Sequence, residues 1–156
     1  MGPRDFLPVL WAFIGSGGFA VIYNIHGRGI LICALGGALG WLTNLLSAPL
    51  LQDDIAQYFL AAAVISAFAE IMARVRKCPV TGYLLVAIFP LVPGSGIYYT
   101  MEYAMAGETD AFLSSFLHTL GLAGSIAVGV LLVSSAVRIW TTFRRREPTP
   151  KKEGQL

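Results

Sequence analysis

Charged residues are scarce in this sequence. They make up 13% of the 156 residues, whereas about a quarter of an average soluble domain is charged. Hydrophobic residues make up 56%, and most of them fall in long runs without charge. Uncharged runs of this length are typical of membrane-spanning helices. The composition therefore predicts one compact integral membrane domain.

Cysteine and histidine are scarce too, with two residues of each. Cys33 lies inside an apolar run and Cys78 beside a basic loop, so neither a disulfide framework nor a metal site is expected. The sequence contains no HExxH, no GxSxG and no phosphate-binding loop, which argues against an enzyme and gives no sign of a cofactor. The formal net charge of +2 comes from basic residues at the ends of apolar runs and in the tail, so no nucleic-acid partner is expected.

Five apolar runs account for most of the chain, namely 6–25, 29–51, 55–73, 78–105 and 111–140. Each is close to, or longer than, the roughly 20 residues that a helix needs to cross a bilayer. The sequence therefore predicts an all-α integral membrane protein with about five transmembrane helices. Only four spans remain if 29–51 lies in the membrane interface. We expect a transmembrane domain over 1–143 and a basic, disordered, cytoplasmic tail over 144–156.

Small residues recur four positions apart in three of the runs. They are Ala12, Ser16 and Ala20 in the first, Gly36 and Gly40 in the second, and Gly121, Ser125 and Gly129 in the last. Residues four apart share a helix face, and small side chains there let helices approach closely in lipid. The pattern predicts close packing of these three helices against their neighbours.

The fourth run is interrupted by Pro-Leu-Val-Pro-Gly-Ser-Gly at residues 90–96. A proline removes a helical hydrogen bond and disfavours the α conformation of the residue before it, here Phe89 and Val92. Pro93 is also expected to free the carbonyl of Phe89. As one straight helix the run would be roughly 40 Å long, against about 30 Å of hydrocarbon. We therefore predict that the fourth transmembrane helix is broken at Pro90–Gly96.

Such a break has two interpretations. Freed backbone groups are tolerated in a membrane where protein buries them or where they line a wet cavity, and transporters build substrate sites at broken helices. A simple structural kink is the alternative, because Pro and Gly are common in membrane helices. On the first interpretation the candidate substrate-pathway residues are Pro90, Pro93, Gly94, Ser95, Gly96, Tyr98, Tyr99 and Thr100.

Two titratable residues are candidates for proton coupling. Glu70 is the only carboxylate well inside an apolar run, where acids often serve ion or proton pathways. It also precedes Arg74 by one helical turn, and the spacing favours a salt bridge near the helix end. His118 lies in a polar cluster with Ser114 and Ser115. Imidazole groups change charge near neutral pH, although a hydrogen-bonded interfacial histidine is the commoner case.

Charge alternates between the flanks of the runs. Basic residues follow the first, third and last runs, and acidic residues follow the second and fourth. Lys and Arg favour the cytoplasmic side. The sequence therefore predicts an amino terminus outside the cell and a carboxyl terminus in the cytoplasm.

The stretch 89–101, Phe-Pro-Leu-Val-Pro-Gly-Ser-Gly-Ile-Tyr-Tyr-Thr-Met, resembles the threonine/serine exporter family. That family shows a Pro-x-x-Pro-Gly element followed by Tyr and a small or polar residue, which correspond here to Pro90, Pro93, Gly94, Tyr98 and Thr100. The glycine-rich first two helices and the overall length agree. Within the family, the chain is similar to the short, membrane-only subunit type of split exporters.

The resemblance implies a subunit of a secondary transporter in the bacterial inner membrane. It implies export of small polar metabolites, either threonine and serine or a small dicarboxylate such as succinate. We expect this export to be coupled to protons. Split members work with a longer subunit that has its own soluble region, and no polar stretch of this sequence is long enough to be one. The expected partners are the lipid bilayer, that longer subunit, a small-molecule substrate and, if the chain works alone, further copies of itself. The alternative is a non-transporting scaffold that stabilises a larger complex, which the small-residue faces suit equally well.

Overall fold

A computed structural model describes residues 6–145 of this chain, with side chains to 143. The regular elements in that range are all helical. They are α1 (Leu7–Ile22), α2 (Arg28–Ser47), α3 (Asp54–Arg76), α4 (Val80–Ile88), a 3₁₀ turn (Phe89–Leu91), α5 (Gly94–Ala106) and α6 (Thr109–Arg145). The all-α prediction is confirmed. The predicted tail, 144–156, lies outside the described residues from 146 onward, and its first two residues continue α6.

Three helices, α2, α3 and α6, are each long and apolar enough to cross a membrane. The pair formed by Val80–Leu91 and Gly94–Ala106 meets the same requirement together and is bent by 54°. Helix α1 is apolar but has only 16 residues, about 24 Å of helix, which is less than the hydrocarbon thickness. The helix too short to span the hydrocarbon is therefore α1. The four-span alternative had instead placed the second run, 29–51, in the membrane interface, but α2 is long enough to span.

Helices α3 and α6 lie side by side and run in the same direction. Gly121 contacts Ile55 and Gly129 contacts Ala62. Further along both helices, the hydroxyls of Ser134 and Ser66 are 3.4 Å apart. Because α3 and α6 are parallel, the chain between them must cross the molecule. Helices α4 and α5 are therefore two halves of one broken span and not a re-entrant loop, which gives four spans, and five passes if the shorter helix α1 crosses as well.

The small-residue faces form the close contacts that their spacing predicts. The small residues of α1 that share a face are all buried, namely Ala12, Ser16 and Ala20. In α2 the predicted Gly36 and Gly40 lie close to Ala87 and Ile65. Gly37, which the spacing did not single out, approaches Ser16 so closely that a β carbon at Gly37 would overlap its hydroxyl. A β carbon at Gly129 would lie 2.8 Å from the carbonyl oxygen of Phe59. Helices α1 and α2, and helices α3 and α6, can therefore pack backbone to backbone.

The break in the fourth span is where the sequence predicts it, but its details differ. Phe89 keeps α-helical torsion angles (φ −53°, ψ −42°), so the prediction that Pro90 displaces it was wrong. Pro90 lies at the start of the 3₁₀ turn, where its missing N–H is not needed. Val92 is extended (φ −60°, ψ 125°), as predicted before Pro93. The carbonyl of Phe89 is not freed, because the N–H of Val92 donates to it at 3.1 Å.

Candidate functional site

A polar cavity of about 610 Å³ opens where α5 begins, between α5 and the amino-terminal parts of α3 and α6. It is lined by Asp54, Tyr58, Pro93, Ser95, Gly96, Tyr99, Tyr103, Ala111, Ser114, Ser115, His118, Thr119 and Leu122. Seven of these side chains carry a hydroxyl, and besides Pro93 and Gly96 only two of the lining residues, Ala111 and Leu122, are apolar. The break in the fourth span thus borders a cavity that is also lined by α3 and α6.

The amino terminus of α5 forms one wall of the cavity. The N–H of Gly94 donates to the carbonyl of Val92 at 2.7 Å, and no side chain caps the helix. The N–H groups of Ser95 and Gly96 therefore have no acceptor within the helix, and both residues line the cavity. Free N–H groups and the helix dipole together favour a negatively charged group at this point.

Close packing of α5 on α6 holds this wall in place. A β carbon at Gly96 would overlap the side chain of Thr119, so only glycine permits the approach. The hydroxyl of Thr100 donates to the carbonyl of Gly96 at 2.7 Å and lies 2.9 Å from the hydroxyl of Ser115. Thr100 is thus a structural link between the two helices, and it does not line the polar cavity.

An acid–histidine pair forms a second wall of the cavity. Nε2 of His118 is 3.9 Å from Oδ2 of Asp54, and their side chains are 52% and 62% exposed. Ion pairs this exposed contribute little stability, so the pair is free to exchange partners with a ligand. Sequence reasoning missed Asp54, because two adjacent acids between apolar runs are typical of a solvated loop. Tyr58, one helical turn further along α3, was missed because it belongs to no sequence motif.

Five of the predicted site residues line this cavity, namely Pro93, Ser95, Gly96, Tyr99 and His118. The other five do not line it, namely Pro90, Gly94, Tyr98, Thr100 and Glu70. Tyr98 is 65% exposed and does not line the cavity, although its ring contacts the ring of Tyr99. Pro90 borders an apolar groove beside α1, and Gly94 has open space where a side chain would be. The structure therefore shows which residues of the 90–100 stretch line the cavity, whereas the sequence could only name the stretch as a whole.

Glu70 lies at the other end of α3. It follows Asp54 by 16 residues, about 24 Å along the helix. Its Oε2 is 3.5 Å from Nη2 of Arg74, which is the ion pair that the spacing favours. Glu70 and His118 thus belong to different sites. Within residues 6–145, no group of three or more His, Cys, Asp or Glu side chains is arranged to hold a metal ion.

Comparison with known proteins places the chain in a family. Residues 8–136 match the family described as Threonine/Serine exporter, ThrE. A relative from Haemophilus influenzae, an uncharacterized protein, is 27% identical over 132 residues that cover 80% of this chain and 44% of the relative. The matched part of the chain therefore spans less than half the length of that relative. No solved structure matches the chain. Since the family match covers all six helices in whole or in large part, this membrane protein belongs to the threonine/serine exporter family.

Proposed function

We propose that this chain is a subunit of a proton-coupled secondary transporter that exports small polar metabolites, working with a longer partner subunit of the same family. The cavity at the broken helix is its substrate site. One observation carries the proposal: the uncapped amino terminus of α5 and the carboxylate of Asp54 line the same cavity. Its volume of about 610 Å³ lies within the usual range for small-molecule sites.

The two walls suit the two ends of an amino acid. The N–H groups of Ser95 and Gly96 suit a carboxylate, and Asp54 suits an ammonium group, with the hydroxyls of Tyr58 and Tyr99 as further acceptors. A dicarboxylate would bring its second negative charge towards Asp54, which is unfavourable. Between the two substrate classes that the family resemblance implies, the cavity favours threonine or serine over succinate.

The pairing of His118 with Asp54 supplies a route to coupling. A protonated imidazole and a substrate ammonium group are both partners for the same carboxylate. When one occupies Asp54 the other is displaced, so proton entry and amino-acid release can alternate. Glu70 lies too far along α3 to take part in this exchange and remains a separate candidate for the opposite end of the pathway.

Export from cells that lack their own exporters tests the proposal. Threonine, serine and succinate are followed in the medium, with this chain expressed alone and then with its longer relative. We expect amino-acid export with both proteins present. Tyr99→Phe removes a hydroxyl from the cavity and is expected to lower export about fivefold, the effect of one lost hydrogen bond. The matched control is Tyr98→Phe, which alters an exposed neighbour outside the cavity and is expected to leave export unchanged.

No export in either arrangement, with both proteins confirmed in the membrane, would favour the non-transporting scaffold. Equal loss in Tyr98→Phe and Tyr99→Phe would show that the cavity is not the substrate site.

A further inference from the structure

A second polar region lies at the opposite end of the α3–α6 contact. It consists of two adjoining cavities, of about 510 and 480 Å³, that share Glu70, Arg74 and Thr141. Cys78 borders the first, and Ser134, Ser135 and Arg138 border the second. We name the two together the arginine cavities. The close contact of Gly129 with α3 lies between them and the cavity at the break.

Positive charge is in excess in the arginine cavities. Two guanidinium groups, those of Arg74 and Arg138, face one carboxylate, that of Glu70, which leaves one net positive charge. The Arg74–Glu70 contact of 3.5 Å is longer than the roughly 2.8 Å of a strong charge-assisted hydrogen bond. Among the residues whose side chains the structure describes, Arg138 has no carboxylate within ion-pair distance. Because each guanidinium carries five N–H donors, most of these donors are available to a ligand.

We propose that the arginine cavities bind the carboxylate of a small metabolite, which displaces Glu70 from Arg74. The identification of that metabolite with the exported substrate rests on the proposed function. The side chain of Glu70 is only 14% exposed, so the region already holds one carboxylate against an arginine. A metabolite carboxylate is the closest chemical replacement for it, and the hydroxyls of Ser134, Ser135 and Thr141 can accept the remainder of a polar ligand. The site lies at the far end of the same pair of helices that lines the cavity at the break.

A native thiol reports on occupancy of this site. Cys78 is exposed and borders one of the arginine cavities, whereas Cys33 is fully buried. The full-length chain is placed in nanodiscs of neutral phosphatidylcholine, and the rate at which a maleimide alkylates Cys78 is measured with increasing ligand. Threonine and succinate are expected to slow alkylation, and threoninol, which lacks the carboxylate, is not. Cys78→Ser is expected to abolish the signal and so assigns it.

Matched variants identify the groups that bind. Arg138→Gln is expected to raise the ligand concentration for half-protection about tenfold, the effect of losing one charged hydrogen-bond donor. Glu70→Gln is expected to lower it, because the competing carboxylate is gone, whereas a purely structural role would predict no gain. Arg76→Gln serves as the control, since Arg76 lies near Arg74 in sequence but lines neither cavity.

Three results would overturn the proposal. They are no protection by any carboxylate, equal protection by threoninol, and protection by anionic phosphatidylglycerol that added threonine does not increase, which would identify a lipid phosphate site. Export and protection are separate measurements. Export without protection of Cys78 would rule out ligand binding in the arginine cavities and leave the proposed function intact. Protection of Cys78 without export would rule out the proposed function and leave the arginine cavities as a binding site.

Discussion

Gly94 and Gly96 are two residues apart at the start of α5, yet their surroundings differ. A β carbon at Gly96 would overlap Thr119, whereas one at Gly94 would meet open space. Gly96→Ala is therefore expected to push α5 from α6 and to cost about 1–3 kcal/mol, the usual cost of overpacking. Gly94→Ala is expected to be tolerated. Thermal unfolding in detergent measures both, and a similar loss of stability in the two variants would contradict the close contact between Gly96 and Thr119.

Ser16 and Gly37 form a second pair whose roles can be separated. The hydroxyl of Ser16 is fully buried and, among the described residues, has no hydrogen-bond partner. Ser16→Ala removes this unpaired group and is expected to leave stability unchanged or to raise it by about 1 kcal/mol. Gly37→Ala is expected to lower stability, because the new methyl group collides with Ser16.

The double variant Ser16→Gly, Gly37→Ala tests that explanation directly. It moves the side chain from one helix to the other and is expected to recover most of the stability lost in Gly37→Ala. Thermal unfolding in the same detergent compares the stability of the double variant with that of Gly37→Ala. No recovery would mean that the α1–α2 contact is not limited by this collision.

At the level of the helix, the break depends on Pro93 more than on Pro90. Pro90 is accommodated in a 3₁₀ turn, while the residue before Pro93 is forced into an extended conformation. Pro93→Ala removes that constraint and allows the helix to continue towards α5, which would close the gap where Ser95 and Gly96 present their N–H groups. We expect export to fall while the complex with the longer relative still assembles. Export assays with co-purification measure the two effects, and loss of assembly instead would favour the scaffold interpretation.

The sequence predicted the break and the close helix contacts because both follow from local chemistry. Two prolines within four residues do not both fit inside one regular helix, and small residues four positions apart lie on the same helix face. It did not predict that Asp54 meets His118, because these residues are 64 positions apart and only the parallel packing of α3 on α6 brings them together. Tyr98 and Tyr99 could not be told apart for a similar reason, since the rotation of α5 depends on its contact with α6.

Across the whole molecule, charge is divided between the two ends of the bundle. Asp53 and Asp54 begin α3, and Glu108 precedes α6, at the end where the cavity at the break opens. Arg74 and Arg138 lie at the other end, around the arginine cavities. A membrane protein with this division is expected to place its basic end in the cytoplasm. The proposed orientation therefore has the cavity at the break facing outward and the arginine cavities facing the substrate pool inside the cell.

Two cysteine positions test the orientation and the number of passes together. Cys78 lies in the short connection after α3, and Glu108 lies in the connection between α5 and α6. If α4 and α5 cross the membrane as one broken span, these positions are on opposite sides. In intact cells, an impermeant maleimide is expected to label Glu108→Cys in a Cys78→Ser background, and to label Cys78 of the unaltered chain only after the membrane is permeabilised. Labelling of both positions from the same side would mean that the α4–α5 pair is re-entrant. It would also contradict the parallel packing of α3 on α6, because α6 would then begin on the side where α3 ends. Labelling of Cys78 alone in intact cells would keep α4 and α5 as one broken span but reverse the orientation, so the cavity at the break would then take substrate from the cytoplasm.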